Sequence, residues 1–387
     1  MRTISGWALM TVVMIAGCDE KKTSTSPSAA PVPAPAPAPA GSGAAAPTST
    51  ASAGSRLPKF DPQQTLLFAP IPAGVETPVL DDATKLGMAM FTDARISGDG
   101  KTSCVSCHSF TKAGQDGAAT AGASGADGGT DGGAAARNTP TVWNAGGSFA
   151  QGWDARWSTI EELVVPHVVE MTGGDEKKIV AAAGAAYGAA FAKSFPDEKP
   201  AVTADTVGRA LGGYTKKLFA RARWDRYLGG DKSALSEAEL TGFAMFVEAG
   251  CTSCHQGKYV GATQTQKLGI AKPWPGPIGS EPGRFAVTKQ ESDRGMFKVP
   301  SLRNVTRTGP WLHDGSATSL EELTKLMARH QVGRELDDAQ AAAIVTFLAT
   351  LEGNPPKELL PKGVTLPTPS SSASNAPAPS ASAAPPP

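Results

Sequence analysis

The sequence predicts a mainly α-helical protein with two folded units, long irregular loops and low-complexity tails at both ends. Three observations predict it. Amphipathic helix patterns recur along residues 56–366, while strand alternation is scarce. The pattern Cys-x-x-Cys-His occurs twice, at Cys104–His108 and Cys251–His255. Residues 23–55 and 367–387 are almost wholly Ala, Pro, Ser, Thr and Gly and carry no charge.

The ends come first. Each tail holds 7 of the chain's 32 prolines and too little apolar bulk to offset chain entropy, so both are expected to be disordered. Before the first tail, Arg2 precedes an apolar run from Ile4 to Ala16, the pattern of a secretory signal. Ile15-Ala16-Gly17-Cys18 resembles a bacterial lipobox, so residues 1–18 are read as a lipoprotein signal whose Cys18 is lipidated. Residues 19–55 would then tether the folded part to a bacterial membrane, reaching ~100 Å in polyproline II. Lys+Arg and Asp+Glu both number 36, and the absence of a basic excess excludes an electrostatic nucleic-acid binder. Five cysteines in 387 residues exclude a disulfide scaffold.

Helix signals follow in chain order. Asp81–Phe91 opens with two acids and carries apolar residues at helical spacing. Ser158/Glu161, Ser236/Glu239 and Ser319/Glu322 have the spacing of capping boxes. Residues 175–193 form an Ala-rich helix, 203–229 another that ends at Gly229-Gly230, and Asp337–Leu351 a third that stops before Gly353. With aromatics at only 6%, such a core needs something else to pack around.

The two Cys-x-x-Cys-His motifs supply it. In c-type haem attachment the two thiols add to the haem vinyl groups and the adjacent histidine ligates the iron. A zinc site would place its second cysteine pair about 15–20 residues on, whereas Cys107 and Cys251 are 144 apart. A redox dithiol would not need the following histidine twice. Cys104, Cys107 and His108 thus bind one haem c; Cys251, Cys254 and His255 bind a second. A helix with Gly-x-x-x-Phe precedes each motif, a weak internal repeat that places two cytochrome c-like domains at 56–230 and 231–366.

The chain resembles the bacterial di-haem cytochrome c peroxidases and their MauG-type relatives from about Leu80 to Gly353. The resemblance is carried by Arg137-Asn138-Thr139-Pro140-Thr141-Val142-Trp143-Asn144, Trp153-Asp154-Ala155-Arg156, Phe297-Lys298-Val299-Pro300-Ser301-Leu302-Arg303-Asn304 and His313-Asp314-Gly315. It implies reduction of hydrogen peroxide to water at the first haem. Electrons would come from a small reduced cytochrome c or cupredoxin and enter at the second haem. It also implies Met327 as second ligand of the second iron, with Met296 and Met245 the alternative methionines and core packing the alternative role. No tyrosine follows Tyr259, which sets the chain apart from the MauG pattern. Glu170, in Glu170-Met171, matches the family's distal acid, against the reading of a solvated helix-end carboxylate. Trp153 matches the tryptophan between the haems, and Asn138, Thr308 and Pro310 match an inter-domain calcium site. Family members are often homodimers. The alternatives are a MauG-type oxidase of a protein side chain or small organic substrate, and a di-haem electron carrier without activity.

The sequence departs from the family pattern in three places. Leu163 stands where a glutamine is usual, and Ala155 replaces a glycine. The loop 109–136 also contains no histidine, whereas many members cap the first iron from that loop. The first haem is therefore expected to be uncapped and to need no reductive activation. His167, three residues before Glu170, is the rival distal ligand. Asp116, Asp127 and Asp131 in that loop read as solubilising charges.

Overall fold

A computed structural model describes residues 56–119 and 137–370. Cys18, the signal and tether, Asp127, Asp131 and residues 371–387 lie outside them. The helices are α1 (Asp82–Phe91), α2 (Cys104–Cys107), α3 (Ile160–Thr172), α4 (Glu176–Ser194), α5 (Ala204–Thr215), α6 (Arg223–Leu228), α7 (Glu237–Glu248), α8 (Phe285–Thr288), α9 (Leu320–Met327) and α10 (Asp338–Leu348). Two short antiparallel pairs complete it: β1 (Arg221–Ala222) with β4 (Gly353–Asn354), and β2 (Thr265–Lys267) with β3 (Met296–Lys298). The mainly α reading holds.

Local signals explain most helix ends. Asp81 caps α1 and Asp337 caps α10 through the amides of Thr84 and Gln340. Ser236 and Glu239 form the expected reciprocal box on α7. The box on α3 is displaced by one residue. Thr159 accepts from the Glu162 amide while Glu162 Oε2 accepts from the Ser158 amide, and Glu161 pairs with Lys216 instead. On α9 only half a box forms, because Glu322 turns to Lys325. The single helix expected over 203–229 is two, α5 and α6. Between them the chain is extended: the Asn144 amide binds Leu218 O, its side chain accepts from Ala220 N, and β1 pairs with β4.

Two apolar cores result. The first joins α1, α3, α4 and α5; the second joins α6, α7, α9 and α10. A glycine makes the tight crossing in each: a Cβ on Gly87 would collide with Ala210 O, and one on Gly242 with Ala343 O. These are the glycines of the two Gly-x-x-x-Phe phrases. The terminal segments exchange sides. Phe60 and Phe68 pack on Tyr227, Trp224 and Phe243 of the second core. Leu359 lies in the first core, where its carbonyl accepts from Tyr214 Oη at 2.6 Å.

The stretch from Pro140 to His167 repeats in the second half at a constant offset of 160 residues, whereas the two Cys-x-x-Cys-His motifs are 147 apart. Asn144 and Asn304 both adopt left-handed backbone, with φ of 61° and 60°. Each amide side chain accepts from a distant backbone N–H, Ala220 in one case and Gly353 in the other. The isolated bridge Gln151–Trp157 recurs as Trp311–Ala317. The N-caps Thr159 and Ser319 then open α3 and α9 at the same register.

Candidate active site

Each Cys-x-x-Cys-His motif is a single tight turn that brings its histidine under the cysteines. The His108 amide closes on Cys104 O at 2.8 Å, and the His255 amide on Cys251 O at 2.9 Å. His108 Nδ1 donates to Gly114 O at 3.2 Å and His255 Nδ1 to Val260 O at 3.4 Å. That bond fixes the tautomer and leaves Nε2 with its lone pair for a metal. Burial holds both rings neutral: it pushes His108 below the usual imidazole range and His255 down to about 4. Burial also pushes the Cys104 and Cys251 thiols up to about 12.

All four thiols and both histidines line one continuous cavity of about 540 Å³. Its donor set fits two covalent haems. The thiols are unpaired, and each motif presents one neutral imidazole. Lys298 reaches the same cavity with only Ser148 Oγ, 3.4 Å away, as a polar partner. Burial pushes its ammonium down to about 8, against the opposing charge of Asp154, and a cation at this wall suits an anionic group such as a haem propionate. Among the described residues, no cluster of three or more His, Cys, Asp or Glu suits a protein-ligated metal ion.

On the first motif's side, α3 turns Ile160, Leu163, Val164, His167, Val168 and Met171 to the cavity, the spacing of one helix face. His167 stands in the middle of that stripe. Its ring centroid is 6.4 Å from that of His108, with 48° between the planes. Burial, together with the nearby His108 and Arg156, pushes it down to about 4. Glu170 flanks the stripe, its side chain 39% exposed and 3.8 Å from Arg156 Nη1. On the second motif's side Met327 lines the cavity, whereas neither Met245 nor Met296 is part of its wall. Met327 ends α9, and a π-helical turn, Ala328–Val332, follows directly. Such turns frequently mark functional sites.

Trp153 lies on the cavity wall and donates Nε1–H to Asn138 O at 2.8 Å. Its ring meets His313 edge-on at 6.2 Å, and His313 stacks on Phe297 at 4.0 Å. Beside it runs a buried charge relay. Glu281 binds His313 and Arg137 at 2.5 Å each, and Arg137 and Arg156 both bind the fully buried Asp154 at 2.8 Å. The relay joins the His313-Asp314-Gly315 phrase to Arg156 and Glu170. Glu281 escaped the sequence reading because it sits in a Pro/Gly loop that looks solvated.

Asn138 and Pro310 are neighbours: Asn138 Nδ2 donates to Pro310 O at 2.6 Å and to Leu312 O at 3.2 Å. Asn138 Oδ1 is buried with no partner, and Thr308 lines the same wall. Carbonyl and amide oxygens of this kind are the set that calcium takes. Asp116 is more than a solubilising charge, because its carboxylate accepts from Thr139 Oγ1 and the Ala118 amide. Gln115, also missed from sequence, is buried and donates to Gly309 O, tying the first haem loop to the second half. Ala155 keeps a φ of 54°, the left-handed backbone of the glycine it replaces. No helix among the described residues is long and apolar enough to cross a membrane.

Comparison with known proteins agrees with this site. Residues 81–233 match the di-haem cytochrome c peroxidase family, and residues 240–352 match the cytochrome c family. The cytochrome c551 peroxidase of Nitrosomonas europaea is 36% identical over 297 residues, which cover 75% of this chain and 86% of that protein. The cytochrome c551 peroxidase of Pseudomonas aeruginosa is 32% identical over 314 residues, covering 76% and 87%. Among solved structures, a MauG-like protein associated with microbial copper homeostasis superposes with a TM-score of 0.58 at 26% identity, covering 81% of this chain and 98% of that one.

Proposed function

The chain belongs to the di-haem cytochrome c peroxidase family, and from that premise we propose that it reduces hydrogen peroxide to two waters, consuming two electrons and two protons. The electrons come from a small reduced cytochrome c or cupredoxin and enter at the second site. The observation that carries this reading is the single cavity that both Cys-x-x-Cys-His motifs share, with Trp153 on its wall and Glu170 at its first end.

Cys104, Cys107 and His108 hold the first haem; Cys251, Cys254, His255 and Met327 hold the second. The haems supply reversible one-electron iron chemistry and a coordination position for peroxide. Glu170 would take a proton from hydrogen peroxide and return it to the leaving oxygen. Arg156 holds that carboxylate near the cavity and is itself aimed by Asp154. Trp153 couples the two sites through its packing on His313. A calcium ion held by Asn138, Thr308 and Pro310 fixes the seam between the halves. The Met327 thioether raises the potential of the second haem, as an entry site requires. No tyrosine is among the described residues that line the cavity, which favours this over a MauG-type oxidase. The working place is the periplasm, with the chain anchored through a lipid on Cys18.

The test is steady-state peroxide consumption by the holoprotein with a reduced small cytochrome c, beside Glu170→Gln. We expect turnover in the parent and a loss of about 10²–10⁴-fold in the variant. Absence of turnover in both oxidised and pre-reduced parent protein would overturn the reading.

A further inference from the structure

We propose that His167 is the distal ligand of the first haem in the oxidised protein, on the opposite side of the iron from His108. The inference rests on haem attachment at Cys104 and Cys107, as set out above, and three observations carry it.

The first is distance. Two imidazoles on opposite faces of one metal, each with its nitrogen about 2 Å away, bring their ring centres about 6.4 Å apart. The His108 and His167 centroids are 6.4 Å apart.

The second is the helix face. His167 occupies the centre of the α3 stripe that lines the cavity, while Glu170 lies at its solvent edge. Its surroundings on that stripe are Leu163, Val164 and Val168, none of which offers the ring a hydrogen-bond partner.

The third is the repeat. At the constant offset of 160 residues, the cavity-lining positions of α3 fall on those of α9: Leu163 on Leu323, Val164 on Thr324, and His167 on Met327. Both side chains stand eight residues after their N-caps, Thr159 and Ser319. One architecture thus offers each haem a side chain from the same helical position, a thioether in one half and an imidazole in the other.

The expectation of an uncapped first site came from a loop without histidine. The cap comes instead from α3, and peroxide reaches the iron only after His167 withdraws. The helix is built to let it go. Pro166, directly before it, has no N–H to give to the Glu162 carbonyl, and α3 ends on Gly173 and Gly174 with φ of 70° and 90°.

The test uses the full-length holoprotein, with two haems per chain established by mass. Electron paramagnetic resonance and absorption spectra of the oxidised protein should show two low-spin haems. His167→Ala and His167→Gln should each convert one haem to high spin and leave the other unchanged, and added imidazole should return the alanine variant to low spin. A high-spin haem in the parent, or two low-spin haems persisting in the variants, would overturn the proposal. The parent alone also decides: azide should leave its oxidised spectrum unchanged, and immediate azide binding would refute the cap. Two low-spin haems without turnover after reduction would sink the peroxidase reading and leave the ligation standing. A high-spin first haem with full turnover would do the reverse.

Discussion

Arg303 grips Asp225 with both terminal nitrogens, Nη1 2.8 Å from Oδ2 and Nη2 2.7 Å from Oδ1, and neither side chain is exposed. The pair is a junction of three segments. Asp225 also accepts from the Ile71 and Ala222 amides at 2.7 Å each, and Arg303 donates to Lys258 O. A buried carboxylate with all these partners is satisfied; a buried guanidinium without it is not. Asp225→Ala is expected to cost about 3–5 kcal/mol. Denaturant unfolding of the holoprotein checks this, and a loss under 1 kcal/mol would show that the pair contributes little.

Ala155 is held at a φ of 54°, while its repeat partner at the offset of 160 is Gly315, at 66°. An L-residue pays roughly 1–2 kcal/mol for that backbone and glycine does not. Ala155→Gly should therefore stabilise the fold by about 0.5–1 kcal/mol, after the greater freedom of glycine in the unfolded chain is offset. Thermal unfolding should show a higher Tm, with peroxide turnover retained.

Glu281 ties the second half to Arg137 and His313 of the relay. Burial works to raise its pKa, but the hydrogen bonds from His313 and Arg137 prevail and hold it below the ordinary glutamate range. A depressed carboxylate contributes stability that is present above its unfolded pKa and is lost as pH falls through the folded one. The parent should thus lose Tm on acidification from about pH 5 downward. Glu281→Gln should be less stable at pH 7 by about 1.5–3 kcal/mol and show a shallower acid slope. Equal slopes in the two proteins would remove Glu281 from the acid transition.

Helix existence and the two Cys-x-x-Cys-His turns were legible in the sequence because both are local. Asp81 and Asp337 cap helices from within one turn, and Cys-x-x-Cys-His is a five-residue device. What was not legible depends on distant partners. Phe60 reaches Phe243, and Leu359 reaches Tyr214, through contacts that no periodicity encodes. The helix break after Thr215 needed Asn144, more than seventy residues earlier. The repeat at offset 160 was present as Pro140/Pro300, Asn144/Asn304 and Asp154/Asp314, but identities that sparse stand out only once equal backbone turns connect them. His167 was visible as a residue. Its position opposite His108 required the fold of α3 onto α5.

The two halves make their sharpest contrast at Met327. If Met327 ligates the second iron, the thioether sets that haem's potential high, and the donor's electrons enter there first. Met245 is buried in the second core and Met296 sits in β3, and neither reaches the cavity wall. Met327→His should lower the potential of one haem by on the order of 0.1 V or more, within the roughly 0.8 V range that axial ligands span. Met245→Leu and Met296→Leu should leave both potentials within error. Spectroelectrochemical titration of the holoprotein resolves the two haems. The histidine variant should also oxidise reduced cytochrome c more slowly, since the first electron transfer becomes uphill. A potential unmoved in Met327→His, or moved instead by Met296→Leu, would transfer the ligand role to another residue. That outcome would leave α9 as a packing helix whose match to α3 concerns backbone alone.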